Sequence, residues 1–415
     1  MLGPGVVGTW VWDDNILIVG NQSVRAPGSW LRFFTTDFWD VSSGVREGAR
    51  YYRPLISTLY ALQFKLFGES PLEWHLVSLA VHLACVGLSL RWLRARLGDT
   101  PSAAWGALLG AAAFALHPSR PESVSWISGS TDLWAALFTL VALNVWVTRR
   151  DLRGAVLATL SLLAGFFCKE AVVAAPLVMV TDAWLLPRVG DRTIERRFSL
   201  GVFGVIGAAF ALRLALLRPP GSGLAEGARG GISRVLSSLG HFVRLVVVPW
   251  PTTAFPATQS FEADGRVHYA TWSIALGALT LIAVGYAAWR AQKRSTWRPW
   301  LADALVFLVL LAPVLNVVPL RLLTLVSPRF LYLPLIGVAA LLARAITVAL
   351  EHERASRAVV LGVPLVLAGA WGVTSLDHAG HFLSNETLWT YETELDPGNP
   401  HALDALALVR SRQGR

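Results

Sequence analysis

Two adjacent carboxylates, Asp13 and Asp14, stand in the stretch Trp12-Asp13-Asp14-Asn15, and Asp37-Phe38-Trp39-Asp40 and Tyr51-Tyr52-Arg53-Pro54 follow before the first long apolar run. Paired carboxylates beside a membrane can supply a general base or a metal site, or simply mark a solvated helix boundary. Adjacent side chains of an extended chain point to opposite sides, so the two need not share one site. A divalent ion held by Asp13, Asp14 and Glu122 is possible, because hard cations take carboxylate oxygens. Lys169-Glu170 interrupts an apolar region, LATLSLLAGFF before it and AVVAAPLVMV after it. A charge inside a span costs a few kcal/mol or more and marks a lined cavity or an ion pair, unless the pair is a turn snorkelling to the headgroups. Arg329, in Ser327-Pro328-Arg329-Phe330, allows the same two readings. His117-Pro118 opens another loop, with Glu122 and then Gly129-Ser130-Thr131-Asp132. There His117 also suits a hydrogen-bonded helix end, and Asp132 a charge favoured by a helix N-terminus.

The elements that must position these groups are membrane helices. Of 415 residues, 54% are apolar and 15% charged, against about 25% charged in ordinary globular domains. Cys85 and Cys168 lie in apolar runs and read as small core residues. The net charge of +9 is almost wholly arginine, since Lys65, Lys169 and Lys293 are the only lysines among 36 basic residues. The basic residues fall in short groups between apolar runs, which excludes a nucleic-acid patch and fits positive-inside topology. Arginine with abundant Ala, Gly and Trp also resembles the product of a GC-rich bacterial genome. No Walker A, GxGxxG, CxxC, HExxH or GxSxG sequence occurs, so nucleotide cofactors and zinc lack support.

A span needs roughly 20 apolar residues, and ten runs qualify: 74–93, 103–117, 132–148, 154–168, 171–187, 198–217, 272–290, 300–318, 329–348 and 358–376. Arg91, Arg94 and Arg96; Arg149, Arg150 and Arg153; Arg188, Arg192, Arg196 and Arg197; Arg290, Lys293, Arg294 and Arg298; and Arg344, Arg354 and Arg357 fall in alternate connections. The intervening short loops hold only Arg120 and Arg321. The Arg-rich set is therefore expected to face the cytoplasm, with 1–73, 118–131, 218–271 and the C-terminal tail opposite. Segments 52–67 and 235–250 are expected to lie along the outer interface as helices. The twelve residues before Asp13 reach about 18 Å as a helix and read as the tail end of a further span.

The ordered motifs WDDN, DFW, YRPL, HLVSLAVHLA, HP…E, GSTDLWAALF, CKE and PRFLYLPLIG resemble the GT-C membrane glycosyltransferases of the protein O-mannosyltransferase type. Within that group the chain looks closest to the transmembrane and TPR-containing mannosyltransferases and their bacterial relatives. The resemblance runs over residues 8–411. It implies an all-α polytopic membrane protein, a GT-C bundle of eleven spans of which ten are read here. Residues 1–376 would form the transferase domain. Residues 377–415, with Trp389 and the Pro397-Gly398-Asn399-Pro400 turn, would form a TPR-like C-terminal stub.

The resemblance further implies transfer of a sugar, mannose by family, from a polyprenyl-phosphate donor to a hydroxyl of a protein or glycan. Reaction would occur with inversion on the extracytoplasmic face of a bacterial inner membrane. Asp13 and Asp14 match the family's acidic pair, one carboxylate being the expected base. Arg53, Lys169 and Arg329 suit the donor phosphate, and Asp37, His117, Glu122, Asp132, Glu170 and Tyr332 match further motif positions. Ser130, Arg120 and Pro328 depart from the family's usual arginine, histidine and acidic residue, which bears on substrate identity more than on reaction class. A non-catalytic scaffold bearing TPR repeats and a transporter are the alternatives. The gathering of acidic residues on outer loops, without an inverted repeat between halves, favours the enzyme.

Overall fold

A computed structural model describes residues 6–414 except 27, 40–50, 150, 187–191, 217–230, 256–259, 262–266, 316, 318–323 and 353–354. Asp40, Arg150, Arg188, Arg321 and Arg354 lie outside the described residues. The principal helices are α1 (Pro54–Phe67), α2 (Pro71–Leu97), α3 (Pro101–Leu116), α4 (Thr131–Thr148), α5 (Leu152–Cys168), α6 (Ala175–Leu185) and α7 (Arg192–Leu216). They continue as α8 (Gly231–Val247), α9 (Thr271–Lys293), α10 (Arg298–Leu311), α11 (Leu335–Glu351), α12 (Arg357–His381), α13 (Asn385–Leu395) and α14 (Pro400–Arg412). A two-residue ladder, Ser260–Phe261 against Val267–His268, is the strand structure among the described residues.

Local chemistry explains where several helices begin. Proline occupies the first helical turn of α1, α2, α3 and α14, where its missing N–H costs no bond and its φ is already helical. Thr100 accepts the Ala103 N–H ahead of α3, and Asp151 accepts the Gly154 N–H ahead of α5. A reciprocal Ser384–Thr387 capping box starts α13.

Among the described residues each of the ten apolar runs contains helix. Pro71–Leu97, Ile127–Thr148, Thr271–Lys293, Ser295–Val314 and Arg357–His381 are long and apolar enough to cross a membrane, and Pro101–Leu116 and Leu152–Cys168 are shorter apolar helices. Leu279, Ile282, Val366 and Val373 are exposed on α9 and α12, apolar surface that lipid covers at no cost. The chain is an all-α integral membrane protein.

Small residues set the closest helix contacts. A Cβ on Gly240 would stand 1.9 Å from the Ser273 carbonyl oxygen, and one on Gly277 would stand 2.0 Å from that of Leu236. Residue numbers rise on α8 as they fall on α9, so the two run antiparallel. Segment 235–250 was expected to lie along the interface; its helix instead packs lengthwise on the first half of α9. Gly106 and Gly110 of α3 meet Ala343 and Ala339 of α11 in the same antiparallel way. Both free cysteines, Cys85 and Cys168, are buried.

The C-terminal helices close over the start of the chain. Thr9 donates its N–H to Leu383 at 2.9 Å, while Trp12, Trp126, Phe255 and Trp389 share an apolar cluster separate from the main core. Helix α12 continues to His381, past the expected boundary at 376.

Candidate active site

The adjacent carboxylates have different surroundings. Asp14 is fully buried. Its Oδ1 accepts the Ser128 N–H at 2.7 Å and the Ser128 hydroxyl at 2.5 Å, and its Oδ2 accepts the Val11 N–H at 3.1 Å. Burial pushes its carboxyl up to about 7 against the pull of those donors. It pins the acidic loop to the 127–130 turn. Asp13 is half-buried, and its main-chain oxygen accepts the N–H groups of Ile16 and Leu17 at 3.0 and 2.8 Å. Trp12, just before the pair, has φ 53 and stacks on Trp126 with centroids 4.5 Å apart.

Each expected phosphate-binding cation comes with a carboxylate from the candidate set. Arg53, at the start of α1, holds Glu170 through Nε at 3.2 Å and Nη2 at 2.8 Å. Lys169, at the end of α5, meets Asp132 at the start of α4 at 2.5 Å, with Phe330 beneath its ammonium at 5.0 Å. Arg329 donates its main-chain N–H to Glu122 at 2.9 Å and its Nη1 at 3.3 Å, and lies 4.8 Å over the Trp126 ring. The Ser327 hydroxyl completes the Glu122 site at 2.6 Å.

These pairs form one electrostatic neighbourhood. Burial lowers the Lys169 ammonium, and Arg53 and Arg329 lower it further while Asp132 opposes them. Burial raises the Glu170 carboxyl, yet Arg53 and then Arg213 outweigh it and bring the group down to about 2. Burial raises Glu122, with Arg329 and Ser327 opposing. Tyr51 sits within the field of Arg53, Arg329 and Arg213. Among the described residues four cations thus face the three carboxylates they pair with, and the Arg329 and Glu170 side chains remain 22% and 21% exposed. Nε and Nη2 of Arg329 make no hydrogen bond among the described residues. Such a group suits an anionic ligand.

The remaining candidates lie in other settings. Asp37 accepts the Trp39 N–H at 2.7 Å within its own loop. His117 is buried at the end of α3, with Nδ1 3.0 Å from the Ser119 hydroxyl and its ring edge on Trp371 at 5.0 Å. The Tyr332 hydroxyl lies 2.7 Å from His82 Nδ1, and its carbonyl accepts from the fully buried Arg120 at 2.7 Å. The His117 and Tyr332 contacts hold helices together. Asp14 and Glu122, two of the three carboxylates considered for a divalent ion, spend their oxygens on separate donors. Among the described residues no group of three or more His, Cys, Asp or Glu side chains could hold a metal ion.

Arg213 was not among the expected site residues. It reaches Glu170 at 3.6 Å from α7. Its signal was present in the sequence, an arginine inside the apolar stretch GVFGVIGAAFALRLALL. Ser128 and Ser327 carried none, being ordinary loop hydroxyls until the fold set them against Asp14 and Glu122.

No family model matches the chain, and no solved structure matches it. Among curated proteins it is similar to protein O-mannosyl-transferase TMTC2 of Mus musculus, 32% identical over 143 residues, 34% of this chain and 17% of that protein. Tmtc1 of Drosophila melanogaster, also a protein O-mannosyl-transferase, is 28% identical over 294 residues, 69% of this chain and 32% of its own length. Tmtc2 of the same organism, with the same description, is 28% identical over 269 residues, 62% of this chain and 25% of its own. The chain thus spans about a sixth to a third of the length of these relatives. The matches bear out the resemblance read from the ordered motifs.

Proposed function

We propose that this relative of the protein O-mannosyl-transferases is a membrane glycosyltransferase that moves mannose from a polyprenyl-phosphate donor to a hydroxyl of a protein. The observation that carries the reading is the group of Arg53, Lys169, Arg213 and Arg329, with Arg329 partly exposed and 5.9 Å over the ring of Trp12, the residue before an acidic pair of which one member is half-exposed. Asp13 takes the acceptor proton as the hydroxyl oxygen attacks the anomeric carbon. The bond from that carbon to the phosphate oxygen breaks, inverting the centre, and the polyprenyl phosphate departs with the electron pair. The cations stabilise the charge growing on it. Asp14 holds the loop in place and does not touch the reacting atoms. The transferase unit runs to the end of α12 at His381, past the sequence-read boundary at 376, and α13 and α14 form a TPR-like element. The reaction and the C-terminus face the extracytoplasmic side of a bacterial inner membrane, which reporter fusions at Arg96 and Gly398 test by opposite signals.

The deciding experiment is radiolabelled mannose transfer from a polyprenyl-phosphate donor by the purified chain in detergent. Asp13→Asn keeps the side-chain volume and removes the proton acceptor, so transfer should fall ~10²- to ~10⁴-fold with donor binding retained. Full transfer by this variant rejects Asp13 as the base.

A further inference from the structure

We propose that Asn385 is a positioning residue, which from the first turn of α13 holds the backbone that aims Asp13. The proposal rests on the reading of Asp13 as the base.

Trp12 is the non-glycine residue with positive φ among the described residues, a conformation that bulky side chains rarely adopt. It persists only where the surroundings over-determine it, and they do. The Trp12 N–H donates to Asn385 Oδ1 at 2.7 Å, and Asn385 Nδ2 donates to the Trp10 carbonyl at 3.2 Å. One side-chain amide therefore reads a donor and an acceptor two residues apart, across more than 370 positions of sequence. The Trp12 indole is held in turn by Trp126 at 4.5 Å, Phe255 at 5.0 Å and Trp389 at 5.4 Å.

Asn385 does not start its own helix. The Ser384–Thr387 box does that, so the amide is spent on the acidic loop. Downstream, Asp14 is fixed by Ser128. Asp13 is thus bracketed by two pinned neighbours, and its Cα–Cβ direction follows from theirs. The C-terminal helix pair then belongs to the architecture of the active site.

The test uses the full chain in the mannose-transfer assay, with Asn385→Ala, Asn385→Asp, Asp13→Asn and the double variant Asp13→Asn/Asn385→Ala. Displacing a catalytic group by about 1 Å can cost on the order of 10²-fold. Asn385→Ala should therefore lower kcat about 10- to 100-fold with the donor KM and the unfolding midpoint little changed. Asn385→Asp keeps the acceptor for the Trp12 N–H and should recover most of the rate. In the Asp13→Asn background the alanine change should have no further effect, because the group it aims is gone. An equal loss in both backgrounds, an unchanged kcat in Asn385→Ala, or a loss that follows folded protein overturns the positioning role. Full transfer by Asp13→Asn alone overturns the base assignment instead, whatever Asn385 does.

Discussion

The two ends of α2 carry charge in opposite ways. Trp74, near its start, packs edge-on against Trp10 of the acidic-loop segment at 5.4 Å. Arg96, 22 residues further along and so about 33 Å away, lies in a closed ion network. It binds Asp182 at 2.5 Å and Asp303 at 2.7 Å, and Arg344 binds the second oxygen of Asp303 at 2.6 Å. Among the described residues the charges of these ion pairs balance, and Arg96, Asp182 and Asp303 are at most 2% exposed. At the acidic-loop end the cations outnumber the carboxylates they pair with among the described residues, Arg329 and Glu170 are partly open, and aromatic rings line the pairs. A balanced, dry network ties α2, α6, α10 and α11 together and leaves nothing for a ligand. An open, unbalanced one keeps charge available.

Arg96→Met would test the closed end with the largest effect. Removing one partner of a buried network leaves a charge uncompensated and costs about 3–5 kcal/mol. The unfolding midpoint in detergent should fall sharply while transfer per folded molecule holds. Lost transfer with an unchanged midpoint would erase the contrast between the ends.

Lys169→Met should do the reverse. A hydrogen bond to a charged group is worth about 1.5–3 kcal/mol, so transfer should fall roughly 10- to 100-fold, donor affinity should weaken, and the midpoint should move less than for Arg96→Met. A full-size stability loss with intact donor affinity would make this cluster structural too.

A smaller effect belongs to the helix pair over the acidic loop. Glu392 accepts from the Thr253 hydroxyl at 2.5 Å and the Ala254 N–H at 2.9 Å, and burial pushes its carboxyl from 4.5 up to about 7 against those donors. The folded state holds the proton more tightly than the unfolded one, so this contribution is complete below pH 4.5 and lost as pH rises through about 7. Protection factors for hydrogen exchange across 385–412, which remove the intrinsic base-catalysed rise, should fall between pH 5.5 and 8.5, and Glu392→Gln should flatten part of that change. Asp14, also raised to about 7, adds a transition of the same sign. A pH-independent protection factor in the wild type would remove the buried-carboxyl explanation.

Much of the scaffold was legible in the chain. Long apolar runs become helices because a backbone in lipid must satisfy its own hydrogen bonds, and prolines and capping residues mark several starts. The Lys169-Glu170 interruption announced a charged boundary, since an isolated charge there has few tolerable settings. The orientation of α8 was not legible, because it depends on Gly240 and Gly277 meeting carbonyls on a partner helix.

By itself, then, the sequence determined the helical membrane class, the ordered motifs and the list of chemically capable residues, all of which follow from local composition and spacing. Only the tertiary structure decided that Asp13 and Asp14 have different surroundings, that Arg213 joins Arg53 on Glu170, and that Asn385 reaches the backbone before the acidic pair. Those outcomes turn on partners 43 to 375 residues apart. Burial and hydrogen bonding at that range depend on how helices pack, and helical periodicity describes only which face each one offers.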